Sequence, residues 1–91
     1  MQQDKYENKK EQLRKALGTT IESLRSSKNK TPNSMSDEIG ISKTTWLKME
    51  RGQGNSQLIT FCRVAEALEI SPAELLNLVY KNLPNDFTFL D

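Results

Sequence analysis

The stretch SMSDEIGISKTTWLKMERG, residues 34–52, decides the fold, because its pattern predicts two short helices joined by a tight turn. Gly40 stands between two isoleucines, and glycine tolerates the left-handed backbone that ends a helix. Ser42 follows as a hydroxyl N-cap. Trp46 and Met49 share one helical face, and the lysines and threonines lie elsewhere. This arrangement is typical of proteins that place the second helix in a DNA major groove.

Composition limits the chain to one domain with a single modest core. Its 91 residues are 35% apolar and 27% charged, which indicates a soluble protein rather than a disordered or membrane one. No run is long enough to cross a bilayer, and the polar N-terminus lacks the apolar stretch of a signal peptide. We therefore expect a cytoplasmic protein that has no contact with a membrane.

The residue types that are missing exclude several kinds of chemistry. Cys62 is the only cysteine and there is no histidine, so an internal disulfide and a Cys/His zinc site are excluded. No Gly-rich phosphate-binding loop is present either, and we expect no enzyme activity, no cofactor and no metal. We expect Cys62 to be a small core residue. The net charge is only +1, so affinity for nucleic acid has to come from local placement of basic residues.

Apolar spacing predicts five helices and no strand. Residues 1–12 are almost all polar and form either a frayed arm or, as we favour, a solvated helical extension. From Leu13, apolar residues recur at spacings of three and four, which predicts a first helix to about Ser27. Gly18 lies inside this helix and allows a kink or a loose N-terminal half.

Turn and capping residues set the bounds of the other helices. Asn29 suits a left-handed cap, and Thr31 before Pro32 predicts the start of a second helix that runs to about Ile39. After the central segment, LITFCRVAEALE at 58–69 predicts a strongly amphipathic fourth helix. A fifth helix opens at Pro72, with Ser71 as its N-cap, and stops before the proline at 84. The divisions expected are a polar arm or extension at 1–12, a DNA-binding domain at 13–80 and a tail at 81–91.

Residues 24–76 resemble the helix-turn-helix domain of the phage repressor and Cro family. The matching segments are LR at 24–25, DEIGIS at 37–42, ERG at 50–52 and VAEALEISPAELL at 64–76. The resemblance implies an all-α, five-helix lambda-repressor-like fold, here with an extended N-terminal helix and a short C-terminal tail. It also implies a structural ion pair between Arg25, near the end of the first helix, and Glu50, at the end of the recognition helix.

In proteins that this chain is similar to, the start of the third helix faces base edges and nearby phosphates. Lysine donates to guanine O6 and N7, and threonine bonds to bases or touches a thymine methyl group. The resemblance implies base contacts by Lys43 and Thr44, followed by Thr45 and Lys48. Contacts to the DNA backbone are expected from Thr31, Asn33, Ser42, Arg51, Gln53 and Asn55. The alternative for these residues is ordinary helix capping and polar loop structure.

Three residues depart from the family's common pattern. Pro32 stands where a glutamine often reaches the DNA backbone, and proline has no N–H to donate. Ser36 replaces a small alanine between the two helices, and it is small enough to fit. Trp46 replaces an aliphatic residue, and we interpret it as part of the core.

These patterns predict a sequence-specific regulator of transcription that binds double-stranded DNA, more specifically a repressor that acts as a homodimer on a pseudo-palindromic site. In proteins that this chain resembles, the fifth helix and the segment after it often make the dimer contact, so residues 72–90 are expected to do so here. Phe87, Phe89 and Leu90 in the tail either fold back on the chain's own core or cover a partner subunit. The alternative is a protein-interaction module whose basic surface is incidental. An intermediate case is an antitoxin that binds both a protein partner and its own promoter.

Overall fold

The computed structural model describes the backbone of residues 2–90 and the side chains of residues 4–90. Within that range the chain forms five helices and no strand, so the all-α prediction is confirmed. The helices are α1 (Gln2–Ser27), α2 (Pro32–Ile39), α3 (Lys43–Glu50), α4 (Leu58–Ala67) and α5 (Pro72–Lys81). Met1 and Asp91 lie outside the described residues.

The N-terminal segment is helical, so α1 extends well beyond the predicted apolar stretch. Its 26 residues correspond to about 39 Å at 1.5 Å per residue. Ion pairs within α1 join Glu7 to Lys10 at 3.3 Å and Glu11 to Lys15 at 3.0 Å. The hydrogen bond from Lys15 lowers the pKa of the Glu11 carboxyl. Because these pairs are exposed to solvent, they add little to helix stability.

Gly18 does not break or end α1; its role is to let another helix pack closely against it. α1 continues through Gly18 without interruption. A Cβ atom added there would lie 2.6 Å from the carbonyl oxygen of Met49, and closer still to that of Glu50. The last turn of α3 therefore crosses α1 at a point where no side chain fits.

The turns around α2 and α3 have the predicted capping residues. Asn29 has a φ of 57° and Gly40 a φ of 73°, so both adopt the left-handed conformation. Thr31 and Ser34 form a reciprocal capping box, in which each hydroxyl accepts from the other residue's backbone N–H. The Ser42 hydroxyl caps α3 by accepting from the Thr45 N–H at 3.0 Å. The first turns of both helices are thereby fixed by local hydrogen bonds.

The core contains side chains from all five helices. Trp46 is the largest fully buried side chain, and Met49 of the same helix is 5% exposed, as the sequence predicts. Cys62 is only half-buried, on α4. The buried apolar residues are Ala16, Ile21, Met35, Ile39, Trp46, Met49, Val64, Ala65, Ala67, Leu68, Leu75, Val79 and Leu83. Among the described residues, no helix combines the length and the apolar character that a bilayer crossing requires.

The aromatic residues of the tail pack on their own chain. Phe87 lies against the core and makes an edge-to-face contact with Tyr80 of α5, with ring centroids 6.1 Å apart. Phe89 contacts Phe87 at 5.3 Å and Tyr6 of α1 at 6.1 Å. Such aromatic pairs stabilise by roughly 0.5–1.5 kcal/mol beyond their burial. The tail therefore joins the end of α5 to the N-terminal extension of α1.

Candidate nucleic-acid interface

The four side chains predicted to contact bases are exposed together on α3. We call this set, Lys43, Thr44, Thr45 and Lys48, the outer face of α3. The opposite side of the same helix carries the buried Trp46 and Met49. Because two large side chains anchor so short a helix, the outer face has a fixed direction relative to the core.

Three hydroxyl groups lie at the start of α3, and two of them are hydrogen-bonded within the protein. The Ser42 and Thr45 hydroxyls are hydrogen-bonded to each other at 2.9 Å, in addition to the Ser42 cap. Within residues 4–90, the side chains of Lys43, Thr44 and Lys48 have no hydrogen-bond or ion-pair partner. These three are therefore the members of the outer face that are available to a ligand without breaking a bond.

The predicted pair of Arg25 and Glu50 lies behind α3 and includes Trp46. Arg25 Nε donates to Glu50 Oε2 at 2.6 Å, and Nη2 donates to Oε1 at 3.2 Å. Trp46 Nε1 donates to the same Oε2 at 2.6 Å, and Arg25 Nη1 donates to the Lys30 carbonyl at 2.9 Å. We call this arrangement the Glu50 clamp. It fastens α3 to α1 and to the turn before α2.

Burial makes the Glu50 clamp more than a surface ion pair. The side chains of Arg25 and Glu50 are only 14% and 6% exposed. The hydrogen bonds with Glu50 raise the pKa of Arg25 above its ordinary value, so the guanidinium stays charged in the folded protein. Removing one partner of such a pair costs more than the pair itself contributes, because the other charge is left buried.

Sequence reasoning missed the indole bond of the clamp. Trp46 and Glu50 are four residues apart on α3, a spacing at which helical side chains are neighbours. That spacing could have predicted a contact between the two side chains. The Trp46 indole N–H finds its acceptor in the Glu50 carboxylate, so a tryptophan fits at a position where resembling proteins commonly have an aliphatic residue.

The loop after α3, residues 51–57, exposes Arg51, Gln53 and Asn55. Gly52, the second residue of this loop, has a φ of 71°, and a Cβ there would lie 2.9 Å from Lys15 Cγ of α1. Asn55 Oδ1 accepts from Arg14 Nη1 of α1 at 3.0 Å. The loop is thus held on α1 as well as on α3.

The remaining predicted backbone contacts lie at the start of α2. Asn33 is exposed, whereas the hydroxyl of the exposed Thr31 is engaged in the capping box. The buried Ser36 fits between the helices, and its hydroxyl donates to the Asn33 carbonyl at 2.9 Å. These residues therefore belong to a different element from the outer face of α3.

Two lysines of the α1–α2 turn are already paired. Lys28 lies 3.4 Å from Glu69, and Lys30 Nζ donates to the Ala67 carbonyl at 3.0 Å and lies 3.6 Å from Glu38. They join the α1–α2 turn to the end of α4.

A sequence model described as a helix-turn-helix domain matches residues 16–78, which is more than half of the chain. The chain belongs to the helix-turn-helix domain family. Over 47 residues this helix-turn-helix protein is 49% identical to the cryptic phage CTXphi transcriptional repressor RstR of Vibrio cholerae. The match covers 52% of the chain and 42% of that repressor, so it spans less than half of the relative's length.

Solved structures of gene regulators have the same fold. The clp gene regulator ClgR from Corynebacterium glutamicum matches this helix-turn-helix protein with a TM-score of 0.75 at 26% identity, over 81% of this chain and 96% of that one. The restriction-modification controller protein C.AhdI from Aeromonas hydrophila matches with a TM-score of 0.66 at 29% identity, over 68% and 94%. The chain is therefore a phage-repressor-type helix-turn-helix domain with the fold of transcription regulators.

Proposed function

We propose that this helix-turn-helix protein is a sequence-specific repressor of transcription that binds double-stranded DNA as a homodimer, with α3 in the major groove. One observation carries the proposal. The Glu50 clamp and Trp46 hold α3 from behind, while Lys43, Thr44 and Lys48 remain exposed and without a partner in the described part of the chain. No catalytic step, cofactor or metal is assigned, and the proposed location is the cytoplasm.

The base contacts are assigned to the outer face of α3. Lys43 and Thr44 lie in the first turn of the helix, where recognition helices meet base edges. Lys43 suits guanine, and Thr44 has both a hydroxyl and a methyl group to offer. Thr45 contributes less, because its hydroxyl is shared with Ser42. Lys48, one turn along, reaches a base or an adjacent phosphate.

The backbone contacts are assigned to the two ends of the motif. Arg51, Gln53 and Asn55 follow α3, whereas Thr31 is the N-cap of α2 and Asn33 lies in its first turn. Arginine and amide donors suit phosphate oxygens, and such contacts fix the register of the recognition helix without reading sequence. Ser42 adds a hydroxyl at the N-terminus of α3, where the helix dipole favours an anion.

The dimer contact is assigned to α4 and α5 rather than to the tail, whose Phe87 and Phe89 pack on their own chain. Leu58 and Ile59 in the first turn of α4 are 76% and 74% exposed. Leu76 of α5 lines the same groove as Leu58, a groove of about 410 Å³ between α1, the 51–57 loop, α4 and α5. This apolar face suits an isologous interface, which would place two copies of α3 about one DNA turn apart.

The roles named for the similar proteins support the proposal. RstR is named a transcriptional repressor, ClgR a gene regulator and C.AhdI a controller protein. The identity to RstR lies within a region of 47 residues, and we extend that relative's role to this chain.

Selection from a pool of random duplexes tests the proposal. We expect enrichment of a pseudo-palindromic sequence whose half-sites are about one helical turn apart. Thr44→Ala should relax the preference at particular base pairs by about 1–3 kcal/mol, whereas Arg51→Ala should weaken all sequences alike and reduce the salt dependence. A pool that shows no enriched sequence would contradict the proposal.

The exposed apolar face also favours a second candidate function, a module that binds another protein. A pair of adjacent side chains as exposed as Leu58 and Ile59 is suited to either kind of contact. This candidate predicts a monomer at every concentration in sedimentation experiments and no enrichment from the duplex pool. An antitoxin-type protein would give enrichment and bind a protein partner as well.

A further inference from the structure

Arg14 makes a long-range contact that lies outside both the Glu50 clamp and the outer face of α3. It lies half-buried on α1, and its Nη1 donates to Oδ1 of Asn55 at 3.0 Å across 41 residues of sequence. Asn55 lies in the 51–57 loop and is exposed. The bond therefore connects the first helix with a loop residue to which we assign a phosphate contact.

The chemistry of the two side chains determines which way the amide faces. A guanidinium has only donors, so the group it meets on Asn55 has to be the carbonyl oxygen. The amide Nδ2 is bonded to the same carbon and lies on the other side of it. With Oδ1 held on α1, the two N–H donors of Asn55 are directed away from Arg14, and these are the groups that a phosphate oxygen accepts from.

Few other contacts determine the position of this part of the loop. A Cβ added at Gly54 would meet nothing within 4 Å. The Ser56 hydroxyl donates to Met49 Sδ at 3.3 Å, and a thioether is a weak acceptor. Within the described residues, the Arg14 bond is the one side-chain hydrogen bond to residue 55. Without this bond the Asn55 amide would be free to rotate, and it would become ordered only on contact with DNA.

We propose that Arg14 is a positioning residue for DNA binding, which holds Asn55 by its carbonyl so that the amide donors face a phosphate. The inference rests on the proposed function, because it assumes that the 51–57 loop lies along the DNA backbone. Pre-orienting a donor reduces the loss of side-chain freedom on binding. Because phosphate contacts carry no sequence information, the effect is the same for every duplex.

A double-mutant cycle tests the role of Arg14. The affinities of Arg14→Ala, Asn55→Ala and the double variant are measured by fluorescence anisotropy on a random-sequence duplex at low salt. Loss of one hydrogen bond of this kind corresponds to about threefold to tenfold in affinity. We expect each single change to weaken binding by that factor, and Arg14→Ala to have little further effect in the Asn55→Ala background. Equal losses in both backgrounds would overturn the inference.

A charge control is needed because Arg14→Ala also removes a cation. Lys15→Ala removes the same charge from the next position of α1, where the side chain is 65% exposed and paired with Glu11. With Asn55 present, Arg14→Ala should cost more affinity than Lys15→Ala. In the Asn55→Ala background the two should cost the same. A loss for Arg14→Ala no larger than that for Lys15→Ala, with Asn55 present, would show that Arg14 acts only through its charge.

Asn55→Asp separates positioning from stability. The aspartate keeps an oxygen acceptor for Arg14 but has no donor for a phosphate. We expect the thermal unfolding midpoint to be kept and DNA affinity to fall at least as far as in Asn55→Ala. Affinity unchanged in Asn55→Asp would overturn the inference. A wild-type protein that binds no duplex would instead overturn the proposed function, so the two failures are distinguishable.

Discussion

At the scale of the residue, Glu50 is the side chain on which the placement of α3 depends. One carboxylate accepts from Arg25 of α1 and from Trp46 of its own helix, and both donors are more buried than a solvated pair would be. Removing the Glu50 side chain therefore leaves the indole N–H without an acceptor, and it leaves the Arg25 guanidinium with only its bond to the Lys30 carbonyl. Such a change breaks a buried hydrogen-bond network, and it therefore costs more stability than the removal of a surface charge does.

Glu50→Ala should lower the free energy of unfolding by about 3–5 kcal/mol, because it leaves the Arg25 charge uncompensated. Glu50→Gln keeps one carbonyl acceptor and should cost less. The measurement is urea unfolding followed by circular dichroism. Glu66→Ala, at an exposed position of α4, is the matched control and should change stability by less than about 0.5 kcal/mol. Equal effects at positions 50 and 66 would contradict the role given to the clamp.

At the scale of the element, local sequence predicted most of the helices. Their ends depend on capping residues such as Thr31, Gly40 and Ser42, whose effect lies within one turn of the chain. The close crossing of α1 and α3 at Gly18 could not be predicted in the same way. Gly18 and Glu50 are distant in sequence, and only the packed helices show that a backbone carbonyl occupies the place of a Cβ.

Gly18→Ala tests that crossing, because two effects on stability oppose each other. Alanine has a better helix propensity by up to about 1 kcal/mol. The added Cβ meets backbone atoms of α3, which cannot rotate away, and such overpacking costs about 1–3 kcal/mol. We expect a net loss of stability and a lower unfolding temperature.

Gly54→Ala provides the control for that substitution. A Cβ at position 54 would meet nothing within 4 Å, so this change should leave the unfolding temperature nearly unchanged. A stabilised Gly18→Ala protein would show that α1 and α3 do not approach as closely as described.

At the scale of the whole molecule, contacts between residues distant in sequence determine which surfaces are left exposed for DNA and for a second subunit. The exposed outer face of α3 was predictable, because it follows from the period of one helix. The fate of the tail was not, since its aromatic residues suited either a fold back on the chain or a partner subunit. The edge-to-face contacts of Phe87 and Phe89 with Tyr80 and Tyr6 favour the first. The proposed dimer face moves accordingly to Leu58, Ile59 and the outer side of α5.

Ile59→Asp should shift the protein toward the monomer, because it places a charge within the proposed apolar interface. Analytical ultracentrifugation over a range of concentrations measures the shift. Leu90→Asp, at a tail position that is 87% exposed, is the control and should leave the distribution unchanged. A monomer produced by Leu90→Asp, with Ile59→Asp still dimeric, would return the interface to the tail.

The assignment of the outer face of α3 to DNA is tested most directly with the double variant Lys43→Glu/Lys48→Glu. The measurement is its affinity for duplex DNA at low salt. Its control is Lys5→Glu/Lys81→Glu, at exposed positions in α1 and in the last turn of α5. Both variants change the formal net charge from +1 by the same amount, so the overall field is matched. We predict that reversal on α3 abolishes binding and that the control retains most of it. Equal binding by the two variants would contradict the assignment of the outer face of α3 to DNA.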